Sequence, residues 1–445
     1  MVTTYARRLG LFSTTMAVIG GIVGGGIFRT PAAVAERVGS PGLALGAWVL
    51  GGAIALAGAF CFAELGQRHP RAGGGYVYLR EAWGPLPAFL YGWALLLVIA
   101  SGAIAAVAVT FADYTLALVG LPARLATPLA VATIVLLAAI NYVGVRPGAV
   151  LLNVFTVLKL AALAALIGLG LWAVLPAAVS APGAVTSGGG WLRALGAALV
   201  PILFTYGGWQ QTNFIAEEIV EPERTLPRAL VLGVVVVVVV YLLANLAYLR
   251  VLGLDGLAVS TAPAADTMRR VLGPVGGDLI AAGIAISTFG FLDLVILVTP
   301  RVLQAMAADG VFPSRLAALH PTYRTPGAAI LVQGTWASLL ALSGTFGQLV
   351  DYVAFGDWIF FGLAVAGLYR YRARDTKTNA PAGAFRVPGY PWTPGLFVAS
   401  AAFVVASSVL ANPRNAAVGT GLLLLGVPVY LWWKRARVPP PGGEA

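Results

Sequence analysis

The most constraining stretch of the chain is Gly20-Gly21-Ile22-Val23-Gly24-Gly25-Gly26-Ile27-Phe28, inside an apolar run from Leu11 to Val38. Glycine in a helix interior costs about 1 kcal/mol against alanine. Five glycines within seven residues predict that a membrane-length helix is interrupted there. A break in hydrocarbon leaves amides and carbonyls that cost several kcal/mol each when unpaired, so it must face protein, water or a ligand. The expectation is a ligand, with the remaining spans holding the break and opening it to each side in turn.

That reading requires a membrane protein, and composition agrees. Of 445 residues, 59% are hydrophobic and 10% charged, with a mean hydropathy of +0.88. A span needs about 20 apolar residues. We count twelve, at 11–37, 42–66, 85–117, 126–145, 149–175, 191–219, 227–252, 276–307, 327–343, 349–370, 393–411 and 416–434. The ninth is short, and nothing remains for a soluble domain. The first run is too long for a cleavable signal.

A net charge of +11 invites a nucleic-acid reading, but its distribution argues against one. With both termini cytoplasmic, 19 basic residues fall on the inside and 7 outside, leaving Arg29 and Lys159 within spans. This is the positive-inside bias, so the charge reports topology rather than a nucleic-acid partner. The one cysteine, Cys61, lies mid-span, and His69 and His320 lie in cytoplasmic loops, so a Cys/His metal site lacks ligands. No cofactor motif is present. The connector Gly73-Gly74-Gly75 lacks the Gly-Lys-Ser/Thr of a phosphate loop and reads as a tight link between the second and third spans.

A second interruption lies in the sixth span, at Phe204-Thr205-Tyr206-Gly207-Gly208-Trp209. Breaks in the first and sixth spans match an inverted repeat of five plus five spans with a site near the midplane. The repeats would be 11–175 and 191–343 or 370, followed by two extra helices at 393–434. A half-helix starting at Gly24–Gly26 aims free amides and a positive dipole end at the gap, which suits a carboxylate. Half-helices ending near Val23 and near Phe204–Tyr206 present carbonyls, which suit an ammonium. Together these are the two ends of an α-amino acid. The competing reading is that the glycines only permit close helix packing.

Lys159, one of three lysines, stands in a span otherwise apolar apart from Asn153 and Thr156. A lysine at mid-membrane costs at least about 2.5–3.5 kcal/mol. It is expected to dock on carbonyls freed at the first break and near the eighth span, in place of a coupling sodium ion or as a proton carrier; the alternative is a structural ion pair. Asp293 in the eighth span could pair with Lys159, meet a cationic substrate group, carry a proton, or stay protonated and hydrogen-bonded. Glu64 reads as structural. Phe204, Tyr206 and Trp209 could close over a substrate. An intramembrane enzyme would need a nucleophile–base pair, and no span contains a histidine.

These motifs carry a resemblance along nearly the whole chain. Gly24-Gly25-Gly26-Ile27-Phe28 with Ser40-Pro41-Gly42, Ala63-Glu64-Leu65-Gly66 and Gly73-Gly74-Gly75-Tyr76-Val77-Tyr78 belong to it. So do Leu158-Lys159-Leu160, Tyr206-Gly207-Gly208-Trp209 with Glu217-Glu218, Asn245-Leu246-Ala247-Tyr248 and Val427-Pro428-Val429-Tyr430. The chain resembles the amino acid–polyamine–organocation superfamily and, within it, the L-amino-acid transporter family, as a prokaryotic member.

The resemblance implies an all-α fold of the LeuT type, with discontinuous helices 1 and 6 and two added helices. It implies sodium-independent exchange of small or neutral L-amino acids by alternating access, in the cell inner (plasma) membrane. The site would comprise Ile22, Val23, Gly24, Gly25, Gly26, Phe204, Thr205, Tyr206, Gly207 and Asp293. Gly25 and Gly26 would meet the carboxylate, and the carbonyls of Ile22, Phe204 and Gly207 the amine. Phe204 and Trp209 would gate, and Lys159 would stand at the vacated sodium position.

Three departures qualify it. Residues 117–127 lack the cysteine that ties animal members to a heavy chain, so no disulfide-linked partner is expected. Position 25 is often serine, so one hydroxyl is missing. Asp293 replaces a neutral pocket residue and keeps open a cationic amino acid/polyamine antiporter, beside a proton-coupled symporter.

Overall fold

The computed structural model describes residues 4–173, 190–344, 346–375 and 385–435. The polar linker expected before the sixth span falls almost wholly outside them, as do Lys377 and Arg437. Every regular element among the described residues is helical. This follows from the composition, since long apolar segments without a sheet partner satisfy their backbone only as helices.

The first apolar run forms α1 (Leu11–Ile22) and α2 (Gly26–Arg37), bent by 43° across the glycines. Ser40 caps α3 (Pro41–Arg68) by accepting from the Leu43 amide. The glycine connector leads into a short helix, α4 (Gly75–Trp83). The third span combines α5 (Pro85–Ala94), a π-helical turn at Leu95–Ile99 and α6 (Ala100–Val119). Two further spans follow, α7 (Ala126–Val143) and α8 (Val145–Trp172).

The sixth run starts as α9 (Gly190–Thr205), breaks, and resumes as a 3-10 segment at Trp209–Glu218. Then come α10 (Pro222–Ala258), α11 (Pro263–Leu272), α12 (Pro274–Val298) and α13 (Pro300–Ala308). The chain finishes with α14 (Gly327–Ser343), α15 (Phe346–Asp375), α16 (Trp392–Ala411), α17 (Pro413–Leu424) and α18 (Gly426–Arg435).

Among the described residues nine helices are long and apolar enough to cross a bilayer, or ten with the bent α1–α2 pair counted as one span. α14, at 17 residues, is shorter. The bundle is polytopic and all-helical, with α8, α9, α10 and α12 packed around the first break. The last two spans are peripheral: 17% of the α17–α18 window is buried, against 67% for α5–α6.

Candidate functional site at the two helix breaks

The glycines of the first break divide their labour. A Cβ on Gly20 would lie 2.8 Å from Thr156 Oγ1, and one on Gly21 2.7 Å from the Gly208 carbonyl oxygen, so these two permit close packing. A Cβ on Gly25 would meet nothing within 4 Å, and one on Gly24 only Phe291 at 3.8 Å. Packing explains the first pair; the second pair borders open space.

At the start of α2, Phe28 N–H donates to the Gly25 carbonyl at 3.3 Å. The amides of Gly25, Gly26 and Ile27 make no bond among the described residues. Three adjacent free donors at a helix N-terminus form an anion cradle. The carbonyls before the break are covered instead. Lys159 Nζ donates to Val23 O at 2.8 Å and Gly20 O at 3.3 Å. Ser287 Oγ, from α12, donates to Val23 O at 3.2 Å and reaches Gly24 O at 3.4 Å. Tyr241 and Tyr248 of α10 donate to Ile22 O at 3.0 Å and Ile27 O at 3.3 Å.

The second break mirrors this with free acceptors. Gly207 N–H donates to Phe204 O at 3.1 Å, and Gly208 N–H to Gln210 Oε1 at 3.0 Å. The carbonyls of Thr205, Tyr206 and Gly207 accept no bond among the described residues. The breaks touch each other. Gly208 has φ +108°, a region that favours glycine, and a Cβ there would lie 2.0 Å from Gly21 O. On the far side of this contact, Thr205 Oγ1 donates to Pro201 O at 2.8 Å and lies 2.7 Å from Thr30 Oγ1, tying α2 to α9. Amides of one helix and carbonyls of the other thus converge where two backbones meet.

The remaining candidates occupy different surroundings. Lys159 is fully buried and passes over Gly290, whose Cβ would lie 3.5 Å from Nζ. Asp293, also fully buried, accepts from Asn141 Nδ2 at 2.8 Å, and its Oδ2 has no partner. No ion pair joins it to Lys159 among the described residues. Its carboxyl turns toward α7, whereas Ser287, two turns earlier on α12, turns toward the break.

Phe204 is 54% exposed and lines a cavity of about 900 Å³ with Thr30, Arg37, Arg193, Trp358 and Ser407. Trp209 is buried instead. Its ring is 5.1 Å from that of Phe62, and a Cβ on Gly58 would press on it at 2.6 Å. In this structure it is a floor residue below the break, and Phe204 alone of the two expected gates faces open space. Tyr206 is buried against Trp48 and Tyr241.

Sequence reasoning missed Ser287, Tyr241 and Tyr248 as partners of the break. The span carrying the valine run 231–240 looks chemically silent, yet Tyr241 and Tyr248, seven residues apart on one face, both donate to carbonyls at the first break. That spacing was the available signal.

On the side of the N-terminal tail the bundle is sealed. Arg301 Nε pairs with Glu218 Oε1 at 2.7 Å, with side chains 0% and 1% exposed. Arg8 and Leu9 amides donate to Glu218 O, and Val220 N–H returns a bond to Leu9 O at 2.9 Å. Tyr78 OH donates to Asn213 Oδ1 at 3.0 Å. Gly74, at φ +43°, lets the connector lie against the Asn213 backbone, where a Cβ would come within 2.8 Å. Glu64 accepts from Arg68, Arg372 and the Val387 amide, a structural junction.

Comparison with known proteins follows this geometry. The amino acid permease family profile matches residues 9–433. The serine/threonine exchanger SteT of Bacillus subtilis is 32% identical over 436 residues, 97% of this chain and 98% of its own length. The human b(0,+)-type amino acid transporter 1 is 32% identical, covering 92% of this chain and 84% of that protein. The human Asc-type amino acid transporter 1 is 30% identical, covering 96% and 83%. With matches that run through both helix breaks, the chain belongs to the amino acid permease family of the amino acid–polyamine–organocation superfamily.

Proposed function

We propose that this chain is a sodium-independent exchanger of small or neutral L-amino acids, working by alternating access. That it is an amino acid transporter and not an enzyme follows from its family. The finer reading is carried by one observation: among the described residues the amides of Gly25, Gly26 and Ile27 are free, Gly26 packs on Thr205, and the carbonyls of Thr205, Tyr206 and Gly207 are free as well. The amides take the substrate carboxylate and the carbonyls its ammonium. The Ile22 carbonyl, already bonded to Tyr241, takes the ammonium only by sharing. Lys159 supplies on Val23 O and Gly20 O the positive charge a sodium ion would supply, so substrate binding needs no external cation. Phe204 closes over the bound amino acid from the cavity side.

In this reading α1–α8 and α9–α15 form the two inverted repeats, α16–α18 supply two extra spans for twelve in all, and both termini are cytoplasmic in the plasma membrane. No disulfide-linked heavy chain is required, since the single cysteine, Cys61, is buried. The serine/threonine specificity in the name of the bacterial relative favours a small substrate. The test is uptake of radiolabelled serine, alanine and leucine into proteoliposomes, with and without internal amino acid, in sodium or choline buffer. Internal amino acid should stimulate uptake equally in both buffers. Uptake that needs sodium, or ignores the internal pool, overturns the proposal.

A further inference from the structure

Asp357 lies within α15, and no hydrogen bond or ion pair holds its carboxyl among the described residues. It is partly buried, unlike Asp293, which is fully buried and bonded to Asn141. Its direction follows from its neighbours. Phe360 packs on Tyr91 at 5.2 Å, and Phe361 on Phe62 at 6.3 Å and Trp209 at 6.5 Å. At 100° per residue, position 357 projects between these two rings, one turn earlier on the helix. It therefore points to the bundle centre just above the aromatic floor. Trp358, the next residue, lines the same cavity as Phe204 and Thr30.

A carboxylate at this depth is costly without a countercharge. The facing spans supply none: residues 85–119 contain no lysine or arginine, nor do 41–63. Lys159 is engaged with the first break. The carboxyl is therefore either neutral or paired by a cation that arrives with the ligand.

We propose that Asp357 is the specificity-determining residue that receives the side chain of the transported amino acid, selecting side chains that end in a cation, as in ornithine, lysine and arginine. This rests on the amino acid exchange reading above, extends its substrate range from small or neutral to cationic amino acids, and assigns to that site a third recognition point: amides for the carboxylate, carbonyls for the ammonium, and Asp357 for the side-chain end. Neutral amino acids leave Asp357 unpaired, so cationic ones gain by comparison.

The test compares lysine with norleucine, its uncharged analogue of similar length, as competitors of leucine exchange in proteoliposomes. The wild type should prefer lysine, and Asp357→Asn should shift the lysine-to-norleucine ratio by at least about tenfold, the scale of losing one hydrogen bond to a charged group. The proposal is overturned if lysine, ornithine and arginine all fail to compete in the wild type. It is overturned too if the substitution weakens lysine and norleucine alike, or changes only the pH dependence, as a proton carrier would. Thermal stabilisation of the purified protein by lysine against norleucine reads the same contact without transport. Absent exchange beside a lysine shift that Asp357→Asn removes overturns the exchanger reading alone.

Discussion

The two halves of the bundle, divided at the helix breaks, are built differently. The half nearer the N-terminal tail is closed by specific bonds: Arg301–Glu218, Tyr78–Asn213, and the strap from Arg8 and Leu9 to Glu218. Among the described residues the opposite half has one hydrogen bond between its broken helices, Thr30 to Thr205, and a cavity lined by the exposed Phe204. Both halves are apolar, so burial does not separate them. Where directional bonds concentrate, closure is discrete; where packing is loose, a helix moves at little cost. The contact between the two breaks lies where these halves meet, and the predictions test whether it is the pivot between them.

The largest effect is expected at the pivot itself. Gly208→Ala places a Cβ on Gly21 O at a backbone angle that disfavours side chains. Neither backbone can yield without unseating a break, so the cost should exceed about 4 kcal/mol. Exchange should fall to background in proteoliposomes, and the yield of monodisperse protein should fall as well. Wild-type exchange in this variant would show that the two breaks do not touch in the working protein.

Next comes Lys159→Ala. Each charge-assisted bond to a carbonyl contributes about 1.5–3 kcal/mol, and two are lost. The helices around α1 retain their apolar contacts, so the protein should still enter the membrane and elute as a monodisperse species. Exchange should drop at least about tenfold, and normal exchange kinetics would refute the sodium-surrogate role. Because this variant spares the sealed half, it separates loss of site geometry from loss of closure.

How much of this was legible beforehand depends on whether a residue's oddity is local. Glycines in an apolar helix and a lysine in hydrocarbon are costly wherever they sit, so the breaks and Lys159 stood out in one dimension. A serine hydroxyl is cheap in a helix, since it can bond its own preceding turn, and tyrosine carries its polar tip on an otherwise apolar body. Ser287, Tyr241 and Tyr248 therefore left little trace, although all three bind the first break. The seal was hidden for another reason: Glu218 and Arg301 are 83 residues apart and ordinary singly. Direction was hidden as well. Trp209 lies in the right motif but faces the floor, and Asp293 turns to Asn141.

The seal is tested by Glu218→Gln, which leaves Arg301 as an unpaired buried charge. Breaking such a pair costs about 3–5 kcal/mol, charged here against the closed conformation. Thr212, fully buried in the 3-10 segment, serves as reporter. In a Cys61→Ala, Thr212→Cys background, a hydrophilic maleimide should label position 212 at least about tenfold faster once Glu218 is neutralised. Equal labelling would place the closing energy in the apolar contacts of this half instead.

The smallest effect is expected at Gly25, and it is the most discriminating because two readings of the glycine run diverge there. If Gly25 were present for helix packing, any side chain would cost stability, as at Gly20 and Gly21. The structure gives its Cβ open space and an ordinary backbone, φ −74° and ψ −15°. Gly25→Ser should therefore leave thermal stability within about 1 kcal/mol, the range of a surface substitution. Its hydroxyl would add one donor beside the free amides of Gly25 and Gly26, the proposed seat of the substrate carboxylate. Serine should then lower KM for the exchanged amino acid by about threefold, within the contribution of a single neutral hydrogen bond, while kcat changes little. A rise in KM would mean that the space above Gly25 is filled by substrate backbone, and that the amides alone set the fit.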